Sequence, residues 1–599
     1  MIKNRLKNLR TVMKRKGLAA YIVTGTDPHQ SENVCDRWKT RAWISGFTGS
    51  AGTVVITSDK AGLWTDSRYF LQAEKQLEGS GYILFKQGLP GVAEYPEWLL
   101  GQLSKGSRVG IAAEDVTVSQ YRELESTFKA GNIQITATDD LLDKIWEGRP
   151  PLPSGSVRQL SLSLTGMKRK QKLHLLREAA DKYRADSLLI TSLDDIAWIL
   201  NLRGTDVPYN PVFLSYLCIT KDCTYLFCGK ALRDDKALTA ELQDEIELLP
   251  YEDAVEKLTA QFRESRGVYV VPDKLSMMIK QAMPAGVPLI EGENIPGIMK
   301  AVKNSTELEG LRRAHREDGA ALADFLYWLE QRWDPEREAL DEYRFAAKLH
   351  SFRAQSSLFL GESFAPIIGF RDHGAIVHYS ASSETAYPIR GQGLVIVDSG
   401  GQYEGGTTDI TRTLLFGDPS ERQRRDYTVV LKAHLALARQ RFPVGTYGYQ
   451  LDGAARLMLW NAGLNYGHGT GHGVGHMLNV HEGPQNISPK PIKVSLRPGM
   501  VVSNEPGVYR TGEYGIRIEN LLSVAKESDT EFGEFYCFEN LTLCPYERGL
   551  IDVEMLTGEE IEQVDAYHRR VVKELGKLLS KEVLTWLKGK TEPLKPRRG

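Results

Sequence analysis

Several short stretches between residues 394 and 520 carry acids and histidines where an ordinary core excludes them. Leu394-Val-Ile-Val-Asp398 is an apolar strand ending in a carboxylate, and Thr407-Thr-Asp409-Ile-Thr-Arg-Thr413 is a second strand bearing another. The segment from Gly400-Gly to Gly405-Gly permits a tight return between them. In Tyr466-Gly-His468-Gly-Thr-Gly-His472-Gly-Val-Gly475 the alternate glycines leave room for close backbone approach. Val501-Val-Ser-Asn-Glu505-Pro-Gly507 and Tyr514-Gly-Ile-Arg517-Ile-Glu519-Asn520 are two more strand-like runs, each with a glutamate.

Taken singly, each has an ordinary explanation. An aspartate closing a strand is commonly a turn residue, a lone histidine a hydrogen-bonded structural one, and a strand glutamate a solvated one. Taken together, four carboxylates and one imidazole on apolar strands are costly to bury without a counter-charge. Two divalent cations would neutralise the four carboxylates. An oxygen-rich set with one imidazole suits Mn2+, Co2+ or Zn2+ better than a thiol-seeking ion. A solvent hydroxide bridging two such ions would be a nucleophile at neutral pH. No G-x-x-x-x-G-K-[ST] phosphate loop and no G-x-S-x-G nucleophile elbow occurs anywhere in the chain.

The elements that must position these residues follow from periodicity and punctuation. Gly148-Arg-Pro-Pro-Leu-Pro-Ser-Gly155 cannot be helix and marks one boundary. A second precedes Asn304-Ser-Thr-Glu-Leu-Glu309, where Thr306 and Glu309 have capping-box spacing. Beyond it Leu322, Phe325, Leu326 and Leu329 share one helical face, as do Ile2, Leu6, Leu9 and Met13 at the N-terminus. The two segments before residue 304 read as copies of one α/β unit. Each has a helix, an apolar strand (Ala20–Thr24; Leu188–Thr191), then Ala-Trp-Ile with a glycine five residues on, ending at Gly49 or Gly204. The division is therefore 1–153, 154–303 and 304–599, the last with a C-terminal extension from about residue 537.

The 599 residues exceed a single core, and 42% apolar with 25% charged residues is ordinary for a globular chain. A net charge of −2 gives no field for nucleic acid, and no apolar run approaches the ~18 residues of a membrane span. The basic N-terminus has no acid before Asp27 but lacks an apolar signal region, so it reads as the first core-facing helix. Six dispersed cysteines, three of them five apart at Cys218, Cys223 and Cys228, miss zinc spacing and read as buried free thiols in a reducing cytoplasm.

The order and local contexts of Asp398, Asp409, His472, Glu505 and Glu519 resemble the pita-bread metallopeptidases, most closely their long, three-domain Xaa-Pro aminopeptidases. The likeness runs through Ser45-Gly-Phe-Thr-Gly-Ser-Ala-Gly52, Ser399–Tyr403, Gly406–Thr413, Gly467–Gly475, Leu478-Asn-Val-His-Glu-Gly-Pro484 and Gly512–Asn520. It continues in a tail from Phe538-Glu-Asn-Leu-Thr542 through Tyr567-His568 to Trp586-Leu587, which methionine aminopeptidases lack. Val508 departs from the aromatic expected after Asn504-Glu-Pro-Gly507.

The resemblance implies two creatinase-like α/β domains and a pita-bread α+β domain of two related halves around a curved antiparallel sheet. It implies two divalent ions, Mn2+ first and Zn2+ or Co2+ as alternatives. Asp398 would hold one and His472 with Glu505 the other, with Asp409 and Glu519 bridging. Glu505 would carry a proton from water to the leaving imino nitrogen, His378, His468 and His481 would hold substrate and oxyanion, and Arg517 would orient a ligand carboxylate. His378, in His373-Gly-Ala-Ile-Val-His378, also fits a core histidine, and Arg68 is a further contributor to substrate contact. The expected substrate class is peptides with a penultimate proline, the expected location cytoplasmic and the expected assembly a homodimer, with neither nucleic acid nor membrane as partner. A prolidase, or a pita-bread binding module without catalysis, is the alternative.

Overall fold

The computed structural model describes residues 1–595 and divides into two compact units, 1–161 with 167–296, and 162–166 with 297 onward. The first unit opens with the helix Ile2–Arg15, which buries Leu6, Leu9 and Met13 along one stripe and leaves Ile2 half-buried.

Two six-stranded sheets follow, and their topologies coincide. The first runs, edge to edge, Ile83–Lys86, Ala61–Thr65, Thr53–Thr57, Ala20–Val23, Arg108–Ala112, Gln134–Thr138. The second runs Glu247–Pro250, Thr224–Cys228, Ser215–Ile219, Ser187–Ile190, Val268–Val270, Leu289–Glu291. In each, the first strand in chain order lies mid-sheet, antiparallel to the second and parallel to the fifth. The two Ala-Trp-Ile stretches fall on the corresponding helices Thr40–Ser45 and Leu193–Leu200. The lobes join through corresponding helix starts: Val118 N–H donates to Leu275 O at 2.9 Å, and Met277 N–H to Val116 O at 2.8 Å. Duplication thus extends from the sequence pattern to strand order and to the contact between copies.

The cysteine expectation needs a correction. Cys218 and Cys228 are buried, but five-residue spacing puts Cys223 in the turn between their strands, where it is exposed, and Cys537 is only partly covered. No helix of the described residues is long and apolar enough to cross a membrane.

The second unit repeats one pattern twice. The helices Ser305–Gln331 and Glu342–Arg353 precede antiparallel strands between Phe359 and Phe416. The helices Glu421–Ala438 and Gly448–Trp460 precede antiparallel strands from Gly471 to Asn540. The long first helix buries Leu322, Phe325, Leu326 and Leu329 against Ile368, Val395 and Val397 of the first strand set. Its cap lies two residues before the expected one. Asn304 accepts the Thr306 and Glu307 N–H groups and Glu307 reaches back to Asn304, while Glu309 pairs with Arg316 at 2.8 Å.

Two C-terminal helices, Gly558–Leu575 and Lys581–Lys590, complete this core. His568 is fully buried, and its Nε2 accepts the Tyr546 N–H at 3.1 Å, which requires the neutral ring. Burial lowers its pKa to about 3. The unfolded chain therefore binds a proton below pH ~6.5 that the native state refuses until about pH 3. Stability should fall by about 1.4 kcal/mol per pH unit through that window as the medium is acidified. Denaturation curves of His568→Gln, which keeps an acceptor and cannot titrate, should fall less steeply than wild type; equal slopes would refute the assignment.

Candidate active site

The site is assembled from five residues in or next to strands of this unit. Asp398 is the penultimate residue of the strand Gly393–Ser399, directly opposite Thr411 of the neighbouring strand Ile410–Phe416. Asp409 stands one residue before that second strand. His472 is the middle residue of Gly471–Gly473, which pairs with Val501–Asn504, and Glu505 follows the latter at once. Glu519 occupies a break: the run from Tyr514 to Asn520 forms two strands, Tyr514–Arg517 and Asn520–Thr530, not one. The break exists because the Glu519 backbone turns aside to the Asp409 strand, its N–H donating to Thr411 O at 3.0 Å and its carbonyl accepting from Arg412 Nη1 at 2.7 Å.

The histidine loop needs glycine for a specific reason. A Cβ on Gly471 would lie 1.9 Å from Ser503 O, and one on Gly473 2.1 Å from Glu482 O. No side chain survives at either position, so the strand can nest between its neighbours only as Gly-His-Gly. The loop is also held from behind by Arg456, which donates to Tyr466 O at 2.9 Å and His468 O at 2.7 Å. Its carboxylate partner Asp452 accepts the Thr470 hydroxyl at 2.6 Å.

Among the described residues, Asp409, His472 and Glu519 each offer one ligand atom within 4.8 Å of the others. His472 Nε2 lies 3.5 Å from Asp409 Oδ2 and 3.5 Å from Glu505 Oε1. Its Nδ1 faces Gly473 O at 3.0 Å, which fixes the proton on Nδ1 and leaves the Nε2 lone pair for a metal. Asp398 joins through Arg517, whose Nη2 donates to Asp398 Oδ2 at 2.5 Å. Arg517 is itself buried; its Nε donates to the Thr411 hydroxyl at 3.1 Å and its Nη1 to the Tyr509 hydroxyl at 2.7 Å. Thr411 in turn donates to Glu519 Oε2 at 2.7 Å.

The electrostatics call for cations. Burial pushes the Glu519 carboxyl well above the usual carboxylate range, and Asp409, Glu505 and Asp398 push it further. Burial likewise raises Asp398 and Glu505, against the opposing pull of Arg517 on Asp398 and of His472 on Glu505. One arginine cannot neutralise four carboxylates. Asp398 Oδ1 and Asp409 Oδ1 are moreover buried with no hydrogen-bond partner among the described residues, which an ordinary core does not tolerate. Unpartnered oxygens, an imidazole with its lone pair free and no thiol among the donors fit two oxygen-seeking divalent ions.

The other sequence-selected histidines fall around this cluster. The His481 ring lies 4.3 Å from that of His472 at an interplanar angle of 79°. His468 Nε2 is 2.8 Å from the Tyr509 hydroxyl, and its Nδ1 is 3.8 Å from Glu505 Oε2. His378 is half-buried next to Val377, whose carbonyl lies 3.5 Å from Arg517 Nη1. The core histidine of that stretch is instead His373, buried on Glu342 at 2.9 Å and stacked on Tyr387. Arg68 belongs to the first unit and is paired with Asp66 at 2.7 Å.

Tyr509 and Thr411 escaped the sequence reading. Tyr509 carried a signal, since it stands four residues after Glu505, but a hydroxyl shared by Arg517 and His468 is a tertiary fact. Thr411 sits inside the Gly406–Thr413 motif, yet nothing in its spacing marks it as the link between Arg517 and Glu519.

Comparison with known proteins covers the chain from end to end. Residues 309–526 match the model of metallopeptidase family M24 and 534–594 that of the C-terminal region of peptidase M24. Residues 5–145 and 148–307 each match a creatinase/prolidase N-terminal domain. Xaa-Pro aminopeptidase 1 of Dictyostelium discoideum is 40% identical, over 99% of this chain and 97% of its own. A probable Xaa-Pro aminopeptidase P of Fusarium vanettenii is 42% identical over 98% of each. The crystal structure of the X-prolyl aminopeptidase of Caenorhabditis elegans, described as a cytosolic enzyme with a di-nuclear active site, superposes with a TM-score of 0.94. It is 33% identical and covers 99% of this chain and 100% of its own. An Xaa-Pro dipeptidase of Bacillus anthracis, 24% identical with a TM-score of 0.52, shares the fold over 63% of this chain and 99% of its own.

Proposed function

The chain belongs to the Xaa-Pro aminopeptidases of metallopeptidase family M24, and from that premise we propose that it hydrolyses the bond between an N-terminal residue and a following proline, using two divalent ions held by Asp398, Asp409, His472, Glu505 and Glu519. The observation that carries this is the buried carboxylate cluster whose Asp398 Oδ1 and Asp409 Oδ1 have no hydrogen-bond partner among the described residues. In this reading Asp398 would hold one ion, His472 and Glu505 the other, and Asp409 and Glu519 would contribute to both; Mn2+ is the proposed resident, ahead of Zn2+ and Co2+. When bound, the ions supply Lewis acidity and lower the pKa of water.

The rest is done by side chains. Glu505, only partly covered and within 3.5 Å of His472 Nε2, accepts a proton at its carboxylate and returns it to the proline nitrogen as the bond breaks. His481, His378 and His468 hold the substrate and the oxygen on which charge develops. Arg517 fixes the Asp398 carboxylate with a charge-assisted bond and, through Thr411, the orientation of Glu519. Proline's tertiary nitrogen and fixed φ exclude peptidases that require an N–H or a freely extended backbone, so a site shaped to the ring has this bond to itself.

The same reading divides the chain at 1–153, 154–303 and 304–599 and makes it a cytoplasmic homodimer without nucleic-acid or membrane partners. It is supported by the end-to-end likeness to the C. elegans enzyme and by a net charge of −2. Purified protein should cleave the Arg-Pro bond of Arg-Pro-Pro, lose turnover on chelation and regain it with Mn2+. Activity confined to the dipeptide Gly-Pro would make it a prolidase. No turnover with either substrate in Mn2+ would make it a binding module.

A further inference from the structure

Glu482 follows His481, and its carboxylate is wholly buried between two lysines. Its Oε2 lies 3.0 Å from Lys300 Nζ and its Oε1 2.5 Å from Lys303 Nζ, the three side chains being at most 2% exposed. Lys300 belongs to the helix Ile295–Ala301. The Lys303 N–H donates to Gly499 O at 3.0 Å, tying this segment to the approach of the strand Val501–Asn504 that leads into Glu505.

Two ammonium groups on one buried carboxylate are a poor source of stability. Desolvating three charges costs several kcal/mol each, and an apolar trio of similar volume is commonly as stable or more so. What an ion triad provides that an apolar trio does not is direction, a fixed place for the backbone that carries it. That backbone matters here. Glu482 pairs with Gly473, the residue after His472. His481 is exposed, while Val480 and Glu482 on either side are 3% exposed each. The backbone that presents the His481 ring to His472 is therefore anchored on both sides, and the anchor at Glu482 is directional.

We propose that the Lys300–Glu482–Lys303 triad is a positioning device for His481, holding its imidazole beside the metal cluster for the transition state. The inference rests on the reading of the chain as an Xaa-Pro aminopeptidase with His481 at the reacting bond. In the triple variant Lys300→Met, Lys303→Met, Glu482→Leu the three charges of the triad are removed together. The expected result is full metal content and a melting temperature at or above that of wild type, with kcat on Arg-Pro-Pro lowered about 10–100-fold and KM nearly unchanged. Diethylpyrocarbonate labelling of His481, read by peptide mass spectrometry and needing no turnover, should be faster than in wild type because the ring is released. Glu482→Asp, which keeps the charge and withdraws the carboxylate by one methylene, should move both readouts the same way and serves if the triple variant does not fold. Wild-type kcat and labelling rate in whichever variant folds, or a fall in kcat fully accounted for by lost metal, would overturn the proposal. If wild-type protein itself fails on Arg-Pro-Pro, the functional reading falls, and the labelling rates alone decide whether the triad positions His481.

Discussion

Asp409→Asn should abolish turnover on Arg-Pro-Pro, with kcat/KM falling about 10³-fold or more and bound metal falling with it. The expected size follows from what would be removed: a carboxylate proposed to bridge would support both ions, and their Lewis acidity would contribute several kcal/mol to the barrier, each 1.36 kcal/mol of which is tenfold in rate. The amide is isosteric but puts an NH2 donor or a neutral oxygen where Asp409 places a charged oxygen 3.5 Å from His472 Nε2 and a second with no partner. Loss of fold should not be the cause, and a second readout tests it. The apo cluster is self-repelling, with Asp409 raising both Glu519 and Asp398. Removing one negative charge should leave the metal-free variant melting no lower than the metal-free parent. Glu519→Gln should behave alike, though it also disturbs the Thr411 hydroxyl that donates to Glu519 Oε2. Metal analysis beside kinetics is the measurement, and near-normal turnover in either variant would contradict a shared-ligand role.

His481→Ala separates chemistry from metal binding. Its ring lies 4.3 Å from the His472 ring, but the donor cluster of Asp409, His472 and Glu519 does not include it. We expect kcat to fall about 10²–10³-fold, the range for removing one donor aimed at developing charge. Metal content should stay at wild-type level and KM should change little, since the interaction matters most in the transition state. A loss of metal matching the loss of rate would instead make His481 a ligand, and an unchanged kcat would remove it from the site.

Much of the site was legible because its signals are local. An aspartate at the end of Leu394–Asp398 announces itself by interrupting an apolar strand, and Gly-His-Gly spacing announces backbone crowding, which the Cβ distances at Gly471 and Gly473 account for. The duplication was legible because both copies keep Ala-Trp-Ile on the same helix of the same unit. Other features were not. Spacing alone points to a helix cap at Thr306 and Glu309 as readily as at Asn304 and Glu307, and which pair caps depends on where the chain turns. Periodicity groups Cys223 with its buried neighbours because it does not say where a hairpin turns. The break at Glu519 was invisible, since Tyr514–Asn520 alternates as a single strand would, and the reason for the break is Thr411 and Arg412, more than a hundred residues upstream.

By itself the sequence determined the chemistry available: four carboxylates and an imidazole on apolar strands, an oxygen-rich donor set, two copies of an α/β unit before it, and a family likeness from residue 45 to residue 587. Only the tertiary structure decided how those groups are held. It showed which nitrogen of His472 is free, which carboxylate oxygens have no partner, that Tyr509 and Thr411 link Arg517 to its neighbours, and that two lysines enclose Glu482 beside His481. The division has one physical cause. Residue type and near spacing fix what a side chain can do, whereas burial, hydrogen-bond partners and the field at a carboxylate depend on strands that meet only when the chain has folded.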